Sequence, residues 1–292
     1  MRFRRVLAAT DFSPASRAAL LAARRLAASH RGVVWIANVV PPLVEAPGGL
    51  PRMYREMQAL VQSDADRRLS AAVRAARKAG AAAHALELHG PAPDAIRRAA
   101  VARKADLVVV GTHGRTGLPR LLVGSIAAKI LATSPCPVLA VSRGAVSGRV
   151  RRVVFGTDFS NASRPAWATA LALAKAQRAR LRLVHAVAPL APGQGAAWAY
   201  AEAEAAMVAE ARRRMRGLVR DARRAGVRAD AVVAVGAAHE VLARAARGEK
   251  DAWIVMGTHG RSGWRGALLG SVAARVVATA PCPVLVVRRR SR

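Results

Sequence analysis

The chain has 292 residues, 53% of them hydrophobic and 22% charged, which suits one or two folded domains with real cores and excludes a disordered chain. Lysine and arginine number 48 against 17 acidic residues, and the formal charge of +31 attracts polyanions of any kind. The arginines are scattered over many segments and aromatic residues make up only 4%, so unspecific contact with nucleic acid stays open while base-stacking recognition is disfavoured.

Arg2, Arg4 and Arg5 run directly into an apolar strand, with no long apolar leader. No stretch approaches the roughly 20 apolar residues of a spanning helix. The expectation is a cytoplasmic protein without a membrane partner. Val6–Thr10 reads as a short buried strand, 14–29 as a helix and Val33–Val39 as a second strand. "PPLVEAPGGLP" breaks the chain, and an Arg/Ala-rich helix follows over 52–79, closed by Gly80. Ala82–Leu88 is a weaker strand, "PAPDAIRRAAVARKA" a helix with proline at its start, and "DLVVVG" the clearest buried strand. A helix over 125–133 and the strand "PVLAVS" complete the unit.

The same order then returns, with strands near 153–157, 181–187, 229–235, 252–256 and 283–287. "VLAATDFSPAS" becomes "VVFGTDFSNAS", so Asp11 matches Asp158 at an offset of 147, while Gly111 matches Gly257 and Cys136 matches Cys282 at 146. A period of this size is a domain length, not a solenoid repeat. The expected division is residues 1–143, a Ser/Gly/Arg linker over 144–150, and residues 151–292. Val/Ile/Leu-rich strands alternating with helices predict a parallel sheet covered on both faces, a doubly wound α/β domain, twice. Cys136 and Cys282 each open a "PCPVL" strand and read as small buried hydrophobes, since no CxxC or disulfide framework exists.

The chemistry concentrates in one repeated pattern, Gly111-x2-Gly114-x9-Gly124-Ser125 and Gly257-x2-Gly260-x9-Gly270-Ser271. It is neither a G-x-G-x-x-G fingerprint nor a G-x4-G-K-[ST] loop. It follows the carboxyl end of a buried parallel strand, where open α/β sheets bind ligands. Gly111 and Gly114 are expected to admit a ligand to the backbone and to adopt positive φ. Gly124 and Ser125 open a helix whose free N–H groups suit a phosphate; Ser125 can cap that helix, bind the anion, or both. Asp11 and Asp158, each beside a threonine (Thr10, Thr157), end the first strand of each half. They can accept from a ribose hydroxyl, hold a metal, or cap the next helix. His113 and His259 lie within the glycine loops, where a structural hydrogen bond is the simpler role; His185, on a strand, reads as core.

These residues resemble the universal stress protein family in its tandem form: "TDFS" after the first strand, "GTHGR…GS" after the fourth and "PCPVLVV" in the fifth, over nearly the whole chain. The resemblance implies a five-stranded parallel sheet of order 3-2-1-4-5 in each half, and the ATP-binding class within the family. It implies that ATP, or AMP or ADP, with Mg, meets Asp11 and Asp158 through the ribose. Val39 and Ala186 would line the adenine pocket with the backbone of Val110 and Met256. Gly111, His113, Gly114, Gly124, Ser125 and Ile126 would hold phosphates, as would Gly257, His259, Gly260, Gly270, Ser271 and Val272. Pairing of the last strands would make an internal pseudo-dimer, with a homodimer as a further step. Two departures stand out: Ala9 and Gly156 replace a frequent proline, and Ala186 replaces the usual valine. No P-loop lysine, paired carboxylates or nucleophile–base pair accompanies the glycine loop, so the output is expected to be binding or conformation. Slow hydrolysis of bound Mg-ATP is one alternative. A nucleotide-independent protein binding nucleic acid or acidic partners through its charge is another.

Overall fold

The protein is described from a computed structural model, which covers residues 3–40, 51–112, 123–142, 149–190, 197–258 and 268–288. The chain divides into two compact units, one built mainly from residues 3–118 and 124–148, the other mainly from 149–292. Most of the expected linker at 144–150 lies outside the described residues.

The first unit runs β1 (Arg5–Thr10), α1 (Pro14–Ser29), β2 (Val33–Val40), α2 (Pro51–Lys78), β3 (Ala82–His89), α3 (Ala92–Ala102), β4 (Leu107–Gly111), α4 (Ser125–Thr133) and β5 (Val138–Val141). Its strands lie in the order β3-β2-β1-β4-β5, and their pairings are parallel. This is the 3-2-1-4-5 arrangement expected from the resemblance. β1 and β4 are central strands covered on both faces, which is why Val6, Leu7, Leu107, Val108 and Val109 have no solvent exposure and follow one another without polar alternation. The α1 face against the sheet is almost all alanine (Ala15, Ala19, Ala22, Ala23, Ala27) with Leu26. Side chains this small let the helix lie close to the strands.

The second unit repeats the order: β6 (Arg152–Gly156), α5 (Arg164–Gln177), β7 (Arg180–Val187), α6 (Ala197–Arg224), β8 (Ala229–Val235), α7 (Ala238–Ala246), β9 (Ala252–Gly257), α8 (Ser271–Thr279) and β10 (Val284–Val287). Its strand order is β8-β7-β6-β9-β10, again parallel. Phe155, Leu173, Leu181, Leu183, Met215 and Trp253 form the bulk of its core.

The two units differ where strand meets first helix. In "DFSPAS", Pro14 occupies the first helical position and Ser13 caps the helix, its side chain accepting from the Ser16 N–H at 3.2 Å. In "DFSNASRP", a 3-10 turn over Asn161–Ser163 intervenes, and α5 begins three residues later relative to the repeat. No helix among the described residues is long and apolar enough to cross a membrane.

Candidate functional site

The repeated "TDFS" is first of all a turn. Thr10 Oγ1 accepts from the Phe12 N–H and Asp11 Oδ1 accepts from the Ser13 N–H, both at 3.0 Å. The matching bonds in the second unit, Phe159 N–H to Thr157 Oγ1 and Ser160 N–H to Asp158 Oδ1, are also 3.0 Å. Two successive side chains thus imitate backbone acceptors. They hold Phe12 and Phe159 in the left-handed region, both at φ 62°, a conformation that costs a non-glycine residue of order 1–2 kcal/mol. Of the roles open to Asp11, helix capping is ruled out, because Ser13 is the cap. Half-burial pushes the Asp11 carboxyl up, but hydrogen bonds from Ser13 and Ser16 outweigh it and hold the group below its ordinary value. Asp11 is therefore a fixed carboxylate at the end of β1.

The helices after the glycine loops start at the predicted residues, with glycine as the cap. Gly124 and Gly270 are the N-caps, and Ser125 and Ser271 are the first helical residues; neither helix has a side-chain cap. Capping by Ser125 is thus corrected: a first-turn serine lies inside the helix, past the position from which its oxygen could reach the second or third N–H. Gly124 N–H donates to Thr112 O, and Gly270 N–H to Thr258 O, each at 3.0 Å, which closes the neck of each glycine loop. Thr112 and Thr258 are buried.

Gly111 is a second correction. It is not among the residues with positive φ, and its missing Cβ makes room for the protein's own backbone. A methyl group there would stand 2.8 Å from Ala15 C and Ser16 N, the backbone that opens α1. The glycine is required by the close approach of α1 to β4. His113, Gly114, His259 and Gly260 lie outside the described residues.

In the first unit, Thr10 and Asp11 end β1, Val39 lies near the end of β2, and Val110 and Gly111 end β4. Gly124, Ser125 and Ile126 start α4, so all eight share the carboxyl edge of one sheet. In the second unit the corresponding Thr157, Asp158, Ala186, Met256, Gly257, Gly270, Ser271 and Val272 all line one cleft of about 630 Å³. That volume is within the range of small-molecule sites.

The sequence reading missed part of this cleft. Phe159 packs against His185 in a tilted arrangement with ring centroids 4.4 Å apart, and the Arg214 guanidinium from α6 lies 4.4 Å above the same ring. His185 is buried, as expected of a core residue, but it also forms part of the cleft wall. Its Nδ1 lies 2.8 Å from Thr157 O, so that nitrogen carries the proton. Asn38 does the same work in the first unit, donating from Nδ2 to Thr10 O at 2.8 Å. Arg68, at the repeat position of Arg214, lies 5.9 Å from the Phe12 ring. The repetition of Phe within "TDFS" was the available signal; its helical partners are too distant in sequence to read.

The sequence model of the universal stress protein family matches residues 2–142 and again 149–288. A universal stress protein of Mycolicibacterium smegmatis is 31% identical over 301 residues, covering 98% of this chain and 97% of its own. One from Methanocaldococcus jannaschii is 31% identical over 145 residues, 48% of this chain and 83% of its own. The crystal structure of a universal stress protein from Archaeoglobus fulgidus shares the fold with a TM-score of 0.67 at 18% identity, over 97% of this chain and 96% of its own. With both repeats matched, the chain belongs to the universal stress protein family.

Proposed function

We propose that the protein binds adenine nucleotide (ATP, or its AMP and ADP relatives, with Mg) at the carboxyl edge of each sheet and acts in a stress response through binding or conformation. The observation that carries this reading is the cleft of the second unit. It places a carboxylate, an apolar wall and a helix N-terminus around one space.

Each part suits a different piece of such a ligand. Asp158 offers acceptor oxygens to a ribose hydroxyl. Ala186, Val187, Leu242 and Met256 offer an apolar wall for the flat base. Gly270, Ser271 and Val272 open α8, whose free N–H groups and positive dipole end favour phosphate. Ala186, smaller than the family's valine, widens the base side of the cleft. When bound, the nucleotide would supply the charge and the polyphosphate that these groups are arranged to recognise; the protein orients it.

The test is to denature the freshly purified protein and to identify and count the nucleotide released, alongside calorimetry with Mg-ATP. The expected result is adenine nucleotide approaching two per chain. Absence of released nucleotide together with absence of binding heat would overturn the reading. Turnover of Mg-ATP that disappears in Asp11→Ala and Asp158→Ala would instead favour a hydrolase.

A further inference from the structure

The opposite edge of the second sheet carries a different chemistry. A hollow of about 380 Å³ lies at the amino ends of β6 and β7 and beside the turn before β9. Six cationic side chains line it (Arg149, Arg151, Arg152, Arg178, Arg180 and Lys250), with Glu249 the one lining carboxylate. It shares no lining residue with the cleft at the carboxyl edge. The five residues of β6 put roughly 15 Å between the two.

Some of this charge is consumed within the protein. Arg152, with a side chain only 11% exposed, reaches Asp230 at 3.3 Å and Glu249 at 2.8 Å. Arg182 meets the same two carboxylates at 2.7 and 3.6 Å, closing a four-membered ring of charges. Arg151 lies 3.5 Å from Asp251. Among the described residues, no carboxylate pairs with Arg178, Arg180 or Lys250, all of which are exposed.

Complementing helix ends does not account for the remainder. α5 ends at Gln177, beside the hollow, and α7 ends at Ala246 nearby in sequence. Each helix end contributes about half a negative charge. Leaving Arg149 aside, the hollow and the groups paired with it hold six cations and three carboxylates, so a surplus of roughly two positive charges survives both helix ends.

We propose that this hollow binds a compact oligophosphate, an anion of two or more linked phosphate groups, inorganic or carried on a small organic molecule. Its shape and lining favour that class. The space equals about a dozen water volumes of roughly 30 Å³ each, which holds a short phosphate chain. Its only apolar lining residue is Val150, and no aromatic residue is present to stack a base. Arginine forks match phosphate oxygens in pairs, and the exposed Arg178 and Arg180 are the forks that no carboxylate among the described residues occupies.

The probe is sodium tripolyphosphate, titrated calorimetrically into the full chain at about 0.1 M salt, where only close charges act. The informative variant is Arg178→Glu/Arg180→Glu/Lys250→Glu, three exposed positions that leave the buried ring intact. The charge-matched control is Arg212→Glu/Arg216→Glu/Arg220→Glu on the exposed side of α6. The expected result is saturable binding weakened about tenfold or more by the first variant and less than about threefold by the control. Equal weakening by both, or no saturable binding, would overturn the proposal. An oligothymidylate titration separates the sources of phosphate. Displacement of the oligonucleotide by tripolyphosphate is expected; an oligonucleotide held through the hollow that tripolyphosphate cannot displace would make the site a nucleic-acid contact and overturn the compact-ligand assignment.

Discussion

Arg214 lies over the ring of Phe159, its guanidinium carbon 4.4 Å from the ring centroid, while the corresponding Arg68 is 5.9 Å from Phe12. The difference has a local cause. Arg68 is drawn to Asp64 on its own helix, Nε to Oδ2 at 2.6 Å, whereas Glu210 at the Asp64 position pairs with Arg213. Arg214 is left to the ring. A cation over an aromatic face at an exposed site contributes about 0.5–1 kcal/mol. Arg214→Ala is therefore expected to destabilise the second unit by about that amount, and Arg68→Ala the first unit by less. Urea unfolding of the two variants checks this, and an equal loss in both would contradict the assignment.

The Asp11 carboxyl gives a pH prediction with a definite sign. Its folded value is depressed, despite the opposing effect of burial, by hydrogen bonds from Ser13 and Ser16. A depressed carboxylate stabilises the fold above its unfolded value of about 3.9, and that contribution is lost as pH falls through the lower folded value. Asp11→Asn is expected to lower stability at neutral pH and to flatten the wild-type decline below about pH 4. Denaturation midpoints measured from pH 7 downward test it; parallel curves for the two proteins would refute it.

The parts of this fold that were legible in the sequence are those governed by local pattern. Unbroken apolar runs such as "DLVVV" located the central strands within a residue or two. The long helix ended where Gly80, at φ 83°, allows the chain to turn out of it. The tandem offset then transferred each site residue from one unit to the other. What stayed hidden depends on partners far along the chain. Arg214 meets Phe159 across 54 intervening positions, a contact that α6's own periodicity does not reveal. Of the roles open to Ser125, capping fails for a subtler reason: a glycine and a serine both occur at N-caps, and only the backbone decides which residue the helix begins on. The packing role of Gly111 was hidden because the helix backbone it accommodates, at Ala15 and Ser16, lies nearly a hundred residues earlier.

Gly111→Ala tests that packing role directly. The added methyl group would meet backbone atoms at 2.8 Å, which cannot rotate away as a side chain would. α1 must shift from β4, at an overpacking cost of about 1–3 kcal/mol. Gly217→Ala, within α6, is the internal contrast, since nothing lies within 4 Å of its added carbon. There the better helix propensity of alanine is expected to stabilise by about 0.5–1 kcal/mol. Opposite signs in urea unfolding support the account, and a neutral Gly111→Ala would refute it.

The last prediction concerns Cys282, whose homologue Cys136 is buried beside Ser134, with Oγ and Sγ 3.8 Å apart. Cys282 is only partly buried, short of the buried hydrophobe that the sequence predicts, yet burial pushes its thiol up to about 12, with a small opposing effect from a hydrogen bond to the Ile254 backbone. The thiolate is the reactive form, and about one group in ten thousand is ionised at pH 8 for such a value. Maleimide or iodoacetamide should therefore label Cys282 far more slowly than a free thiol at that pH. The rate should climb about tenfold per pH unit up to the range where the protein unfolds, because each unit multiplies the thiolate fraction by ten. Denaturation should restore ordinary labelling at once, since the shift comes from desolvation and not from a covalent partner. Peptide mapping after timed alkylation would decide it: rapid modification of Cys282 in the folded chain at pH 8 would mean that water reaches the sulfur, and that "PCPVL" does not serve as buried packing in the second repeat.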